Sequence, residues 1–459
     1  MLLTNQIMNF INITIITFLF SFSCCTYAQS DTIRKEAKHS FSLNGYLRTS
    51  IAESKGGGTM ADFQAPGAAT HYRLGNEANT YGEITGNYNY GFKNSNQSVD
   101  VILTVSGFKP FGISDSFKLN TLEQFYVKMN KVIGNADVWA GRRYFLRNDY
   151  HLVDFYWYNP GQHADVGFGV ENIAIKKSNL ALALFSFTNK HVKPLTGTIQ
   201  EKDVNSDILK TYILEAKLTD IPLNKDGNLI FWARAAKRKE NAAIGYQSVN
   251  GYGFGMAHNQ TNLIKGKASN NFQTNIRKGN AMSQNQFTGV PIYETFGNGD
   301  VVNYNLKKNF TFEMSDMFLY DDKKNFALNL VAIYRYENRG VNPYLISTEE
   351  VIGNGKNINW FSGGFRFLKY FYKHFNLAVE YGFDYVHNQP LKREGELQKL
   401  TIAPQLSWDY GFYSRPVLRP FITYASWSKD FKGAVGGGLA PFGDKTNGLT
   451  YGIAFEIWF

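Results

Sequence analysis

The sequence predicts an all-β chain, a transmembrane β-barrel of antiparallel strands. Three observations carry that expectation. Apolar and polar residues alternate with period two in segment after segment. The composition is rich in rings and glycine yet lacks, past residue 28, any apolar run near the ~20 residues that a membrane helix needs. And the chain stops on an alternating strand with a terminal aromatic, "LTYGIAFEIWF".

Taken in chain order, residues 1–28 come first. They contain no charged side chain, carry the apolar run "MNFINITIITFLFSFSCC" and end in "TYA", which reads as a secretory signal peptide. The runner-up is a lipoprotein signal with Cys24 as the lipidated residue. Both cysteines, Cys24 and Cys25, lie in this stretch, so the remaining 459 − 28 = 431 residues would be exported without disulfides. The barrel domain is expected over 29–459.

Successive side chains on a strand point to opposite faces. In 41–52, Phe41, Leu43, Gly45, Leu47, Thr49 and Ile51 oppose Ser42, Asn44, Tyr46, Arg48, Ser50 and Ala52. In 80–92, Ile84, Tyr88, Tyr90 and Phe92 oppose Tyr81, Glu83, Thr85, Asn87 and Asn89. In 375–386, Phe375, Leu377, Val379, Tyr381, Phe383 and Tyr385 oppose Asn376, Glu380 and Asp384. In 399–410, Leu400, Ile402, Leu406, Trp408 and Tyr410 oppose Thr401, Gln405, Ser407 and Asp409. Each strand has one greasy and one wet face. A soluble sandwich alternates too. Rings gathered towards strand ends fit an interfacial girdle instead, and a sheet in lipid must close on itself to pair its backbone.

At ~9–11 residues per crossing, 431 residues supply 16 or 18 strands, and counting does not separate these. Short turns such as "YDDKKNF" fit periplasmic hairpins. Irregular hydrophilic stretches such as "ESKGGGTMADFQAPGAATH" fit extracellular loops. There is no internal repeat and no second domain.

The net charge of +10 raises nucleic acid as a partner, but no dense basic run or nucleic-acid motif accompanies it. "GNGDVVN" and "GGGLAPFGDK" lack P-loop spacing, and no cofactor is implied.

Parity then assigns the inner face. Tyr46 and Arg48 share one wet face, Tyr81 and Glu83 another, and Glu456 and Trp458 point inward on the last strand. A sugar ring has an apolar C–H face and a rim of hydroxyls. Aromatic rings cover the first, and ionic groups bond the second. The stretch "RRYFLRNDYHLVDFYWYNPG", 142–161, concentrates both kinds of group. Asp149 and Asp154 suggest a glycosidase pair, although five residues of separation would put them on opposite faces of a strand. Asp149, His151 and His163 suggest a metal site without the usual ligand spacing. Hydrogen bonds from Asp149 and His151 that tie a loop down are the plainer reading.

The blocks "FQAPGAATHYRLGNEANTYGEI" (63–84), "VWAGRRYFLRNDYHLVDFYWYNPG" (138–161), "GVENI" (169–173), "SRPVLRPFITYASW" (414–427) and "FEIWF" resemble the maltoporin family, channels for maltodextrins in the bacterial outer membrane. The match runs in order from about residue 43 to 459, although 175–400 matches only in character. The resemblance implies an 18-stranded antiparallel barrel with an inward-folded constriction loop, a homotrimer, and contact with outer-membrane lipid and the outer-membrane assembly machinery. It also implies facilitated diffusion of sugars along a slide of aromatic rings. Tyr46, Tyr81 and Trp458 fall on slide positions, and Tyr413 falls where the family has a slide tryptophan. Arg48, Arg73, Glu83, Arg147 and Asp154 fall on the ionic track, and Tyr156 on the tyrosine that narrows the constriction. Phe272 is a weaker slide candidate, and Phe108 or Phe111 would reach a neighbouring subunit.

Three departures bear on the choice of sugar. Leu122 stands where the family has an arginine, Asn159 where it has an aspartate, and 162–168 looks like an insertion. A channel for sucrose or another oligosaccharide, or a general diffusion porin, are the alternatives.

Overall fold

The computed structural model describes residues 36–56, 58–111, 118–162, 164–190, 208–240, 248–281, 293–295, 301–303, 308–340, 356–436 and 442–459. The alternating segments form strands. β1 (Lys38–Ser54), β2 (Asn79–Gly91), β3 (Ser98–Pro110), β4 (Lys118–Ile133) and β5 (Ala136–Arg142) come first. Two short strands follow, β6 (Asn148–Tyr150) and β7 (Phe155–Tyr158), paired only with each other. The sheet resumes with β8 (Val166–Ile175), β9 (Ser178–Lys190), β10 (Ile208–Asn224), β11 (Gly227–Arg238), β12 (Val249–Asn262) and β13 (Ala268–Gly279). A small hairpin of β14 (Tyr293–Thr295) and β15 (Val301–Asn303) intervenes. The chain ends with β16 (Phe310–Asp321), β17 (Phe326–Asn338), β18 (Asn357–Tyr372), β19 (Phe375–Asn388), β20 (Arg393–Ser407), β21 (Val417–Trp427) and β22 (Asn447–Trp458).

Apart from the two hairpins, these strands make one 18-stranded sheet. It closes because β1 pairs antiparallel with β22, Tyr46 opposite Trp458 and Arg48 opposite Glu456. Closure leaves no unpaired edge, which a bilayer requires. None of the described helices is long and apolar enough to cross a membrane; the strands are the crossing elements.

The burial pattern is inside-out relative to a soluble protein. Ile51 is 86% exposed on the outer face, while Glu380 is fully enclosed on the inner one. The same inversion holds along 375–386 and 399–407, where the faces separate as the alternation predicts. Buried charges must be paired, and Glu380 is held by Arg366 at 2.6 Å and Lys399 at 2.7 Å.

The "YDDKKNF" turn is a tight hairpin: the Asp322 carboxylate accepts the backbone N–H groups of Lys324, Asn325 and Phe326. Tyr410 departs from the expected outer face. β20 ends at Ser407, and Tyr410 turns back to meet the Tyr370 ring edge-on at 5.5 Å.

The stretch 53–71 also departs from its expectation as a hydrophilic outer loop. Met60, Phe63, Ala65 and Ala68 are buried, as are Tyr72 and Leu74 just beyond them. The segment lies on inward residues of β18–β21. Leu74 N–H donates to Glu380 at 2.9 Å, and the Thr401 and Thr423 hydroxyls donate to the carbonyls of Leu74 and Gly75. Tyr72 occupies a notch made by two inward glycines, Gly364 and Gly382, where any Cβ would collide with its ring. Alternation finds strands; it has no purchase on an irregular segment whose few apolar residues are spaced by its own turns.

Candidate functional site

Four rings form a continuous line on the inner wall. Tyr81 lies near the long-loop end of β2, and its ring centre is 6.2 Å from that of Tyr46 on β1. Tyr46 stacks on Trp458 at 6.4 Å with 26° between planes. Trp458 is 6.4 Å from Tyr413, which sits in the connection between β20 and β21 at the opposite end of the barrel. The line therefore runs along the barrel axis. Strand pairing sets its upper part: Tyr46 faces Trp458 across one seam, and Arg48 faces Tyr81 across the next.

Ionic groups flank the line on both sides. Glu456 is the hub of the lower cluster. Its carboxylate accepts from the Tyr46 hydroxyl at 3.1 Å, Arg415 Nε at 2.9 Å, His151 Nε2 at 3.2 Å and Arg419. Arg415 lies 4.4 Å above the Trp458 ring. Arg73 donates to the Tyr46 hydroxyl at 2.7 Å, and Glu77 bridges Arg73 at 2.7 Å and Arg48 at 2.5 Å. Arg48 is also 5.4 Å from the centre of the Tyr81 ring.

The upper cluster gathers Glu83, Tyr144, Arg147 and Tyr156. Tyr81 donates its hydroxyl proton to Glu83, and Tyr144 donates to Glu123 at 3.0 Å. The Arg147 guanidinium lies 4.5 Å from the Tyr144 ring centre and 5.0 Å from that of Tyr156.

Segment 143–162 makes its contacts with strands far apart around the barrel. The Tyr150 hydroxyl donates to Asn271 O of β13 at 3.0 Å, and Lys217 of β10 donates to Leu146 O at 2.9 Å and Asn148 Oδ1 at 2.5 Å. Phe155 meets Trp360 of β18 at 6.0 Å. The segment also meets the buried 58–78 stretch, through Thr70 to Val153 O and Arg73 N–H to Leu152 O.

His151 stands where both inward segments reach the ring line, 5.3 Å edge-on to Trp458. Its Nδ1 is 2.9 Å from Arg73 Nη1. Burial and the neighbouring Arg73 press its pKa down to about 4, against the pull of Glu456. A neutral ring that accepts at Nδ1 from Arg73 donates at Nε2 to Glu456, so the two bonds specify one tautomer. Burial pushes the Asp154 carboxyl up, but Arg73 and Arg48 more than offset it and hold it below the ordinary range.

Structure thus brings together Tyr46, Arg48, Arg73, Tyr81, Glu83, Tyr413 and Trp458 along the line, with Arg147 and Tyr156 beside its upper part. Glu77, Tyr144 and Arg415 belong to the same constellation and were not read from the sequence. Glu77 stands four residues from Arg73, within the stretch 63–84. Tyr144 and Arg415 lie outside strands, where parity gives no face.

One expectation, Phe272 on the slide, is corrected, and the other positions read from the sequence are placed as follows. Phe272 is not on the line: it faces outward on β13, while its neighbour Gln273 is buried on the inside. Leu122 also faces out, opposite Val105, because a register irregularity there turns Glu123 inward to accept from Ser106 at 2.8 Å. Asn159 is buried and its side-chain amide donates to Gln162, so it closes a turn at the end of the inward segment. Phe111 packs against its own chain's interior, and Phe108 pairs opposite Tyr81; residues 112–117 and His163 lie outside the described residues. Asp149 is exposed and pairs through its backbone with Tyr156, whereas His151 does anchor the segment. Among the described residues no three His, Cys, Asp or Glu side chains are grouped to hold a metal ion.

The family model described as LamB porin matches residues 41–459. Three solved structures of outer-membrane channels are similar to this chain at low identity, with TM-scores below 0.5. OccAB1 of Acinetobacter baumannii is 13% identical over 94% of this chain and 99% of that one, with a TM-score of 0.48. DcaP of Acinetobacter baumannii is 12% identical over 91% and 97%, with a TM-score of 0.46. OprD of Pseudomonas aeruginosa is 9% identical over 94% and 100%, with a TM-score of 0.42.

Proposed function

The chain belongs to the LamB porin family, and from that premise we propose that this outer-membrane channel passes maltose and maltodextrins by facilitated diffusion. The observation that carries the reading is the line Tyr81–Tyr46–Trp458–Tyr413, whose neighbouring ring centres are 6.2–6.4 Å apart and which ionic groups flank on both sides. A sugar lays its C–H face on the rings. Arg48, Arg73, Glu83, Arg147 and Asp154 exchange hydrogen bonds with its hydroxyls, and Tyr156 narrows the path.

Transport by such a line needs no energy source. Rings of similar character at similar spacing make each station about as favourable as the next. Binding is then deep enough to draw the sugar in and shallow enough to release it. Glu456 and the arginines around it serve as a fixed frame: they spend their hydrogen bonds on one another and so keep Trp458 and Tyr46 in place. In this reading the chain assembles as a homotrimer, residues 1–28 direct export, and segment 143–162 forms the constriction.

The test is a titration of sugars against ion current through the reconstituted channel. Maltohexaose is expected to block at the lowest concentration, with sucrose and α-1,6-linked oligomers weaker. Current insensitive to every sugar would leave a general porin, and a lowest blocking concentration for sucrose would reassign the substrate. Incubation with maltodextrins is expected to release no glucose or maltose.

A further inference from the structure

We propose that the outward face of β10–β13, at its long-loop end, docks a lipid that carries phosphate on its headgroup and several acyl chains. Two features on one face lead there. The first is a basic rim. Alternation places Lys237 of β11 and Lys278 of β13 outward, and both are exposed. Lys239 follows the end of β11, with its ammonium 5.5 Å from the centre of the Tyr212 ring. Lys210 sits beside them at the top of β10, bonded to Asp165 at 3.1 Å. With Glu240 counted, the rim carries four lysines against two carboxylates, a balance of 4 − 2 = +2. Lys237, Lys239 and Lys278 have no ion pair among the described residues.

The second feature is an apolar groove of about 470 Å³ on the same face. Ala216 and Ala233 form its floor, and Phe231, Phe254, Met256 and Ile276 its walls. Ile276 is the outward position directly below Lys278, and Phe254 the one directly below Tyr252. Two residues of strand span roughly 7 Å, so the groove begins just beneath the lysines. Tyr212 and Tyr252, 36% and 55% exposed, stand in the same rows as the lysines, Tyr212 opposite Lys237 and Tyr252 opposite Lys278.

The order from rim to groove matches the order of chemistry in an anionic lipid. The phosphate-bearing headgroup meets the ammonium groups and the tyrosine hydroxyls beside them, and acyl chains enter the groove below. A basic cluster at the membrane surface attracts anionic headgroups of any kind. The depression below it adds a demand for chains, because small side chains between large ones leave apolar surface that a flat bilayer neighbour fills poorly.

The experiment uses the intact protein, purified in an uncharged detergent and mixed with lipid A, with bound lipid counted by native mass spectrometry. Wild type is expected to retain lipid A and to bind dephosphorylated lipid A no better than phosphatidylethanolamine. The triple variant Lys237→Gln, Lys239→Gln, Lys278→Gln is expected to weaken retention at least tenfold. Ala233→Phe, which fills the groove floor with the lysines intact, is expected to weaken it at least threefold. Both variants are expected to keep wild-type maltohexaose block and heat-resistant electrophoretic mobility, which separates a lost lipid from a lost barrel. Equal retention by the triple variant or equal binding of the dephosphorylated lipid overturns the proposal. So does cross-linking of the Lys237→Cys variant to a second copy of the chain.

Discussion

Tyr46 and Trp458 are direct partners across the seam where the first strand of the barrel meets the last, their rings stacked at 6.4 Å. The continuity of the ring line is therefore a consequence of closure. Residues 412 positions apart in the chain (458 − 46) become neighbours because the sheet has no edge.

Trp458→Ala removes the ring that touches both Tyr46 and Tyr413 and leaves a gap in the line. The expected loss is about tenfold in maltohexaose affinity, close to 1.4 kcal/mol, with ion conductance kept or raised. Current-block titration measures it. Phe272→Ala is the contrast: an outward ring should leave the block unchanged, and a comparable loss there would contradict the assigned face.

Glu456→Gln is expected to destabilise the barrel more than it changes sugar affinity. The carboxylate is buried and compensates Arg415 and Arg419, with His151 and Arg73 close by. Removing one partner of a buried ionic cluster costs about 3–5 kcal/mol. The temperature at which the folded form is lost on electrophoresis should fall by well over the scatter between preparations.

Acid should loosen segment 143–162 through His151. Its folded pKa of about 4 lies below the ordinary value of 6.5, so the unfolded or released segment takes up a proton more readily. Stability from the neutral ring is fully present above pH 6.5 and falls away as pH drops towards 4, by at most about 1.4 kcal/mol per unit. Arg73 and Arg415 oppose protonation and Glu456 favours it. Current noise and protease cleavage within the segment should both rise across that window. His151→Phe should flatten the dependence; an unchanged pH profile in that variant would falsify the role.

Gly382→Ala tests the docking of the 58–78 stretch. The added methyl overlaps the Tyr72 ring, and overpacking of this kind costs about 1–3 kcal/mol. Conductance is expected to rise as the stretch lifts from β18–β21, while the Tyr72→Ala, Gly382→Ala double variant, relieved of the clash, should show no further rise over Tyr72→Ala alone.

Alternation was enough to read the strands, their two faces and the placing of Tyr46, Arg48, Tyr81, Glu83 and Trp458 on the inner wall. That information is local, because neighbouring side chains on an extended backbone must diverge. Resemblance to known channels added the strand number and the residues in loops. What sequence could not decide was set by distance in space. Phe272 and Leu122 face the bilayer because a strand's register, with one irregularity at β3–β4, fixes the face of every residue on it. Segment 58–78 folds inward because Tyr72 finds a notch built by glycines on two distant strands, and Leu74 finds Glu380. Glu456 becomes a hub because closure of the sheet and two inward segments bring five cationic or donor groups, Tyr46, Arg73, His151, Arg415 and Arg419, to one carboxylate. These outcomes depend on partners hundreds of residues away, and only the closed barrel brings them together.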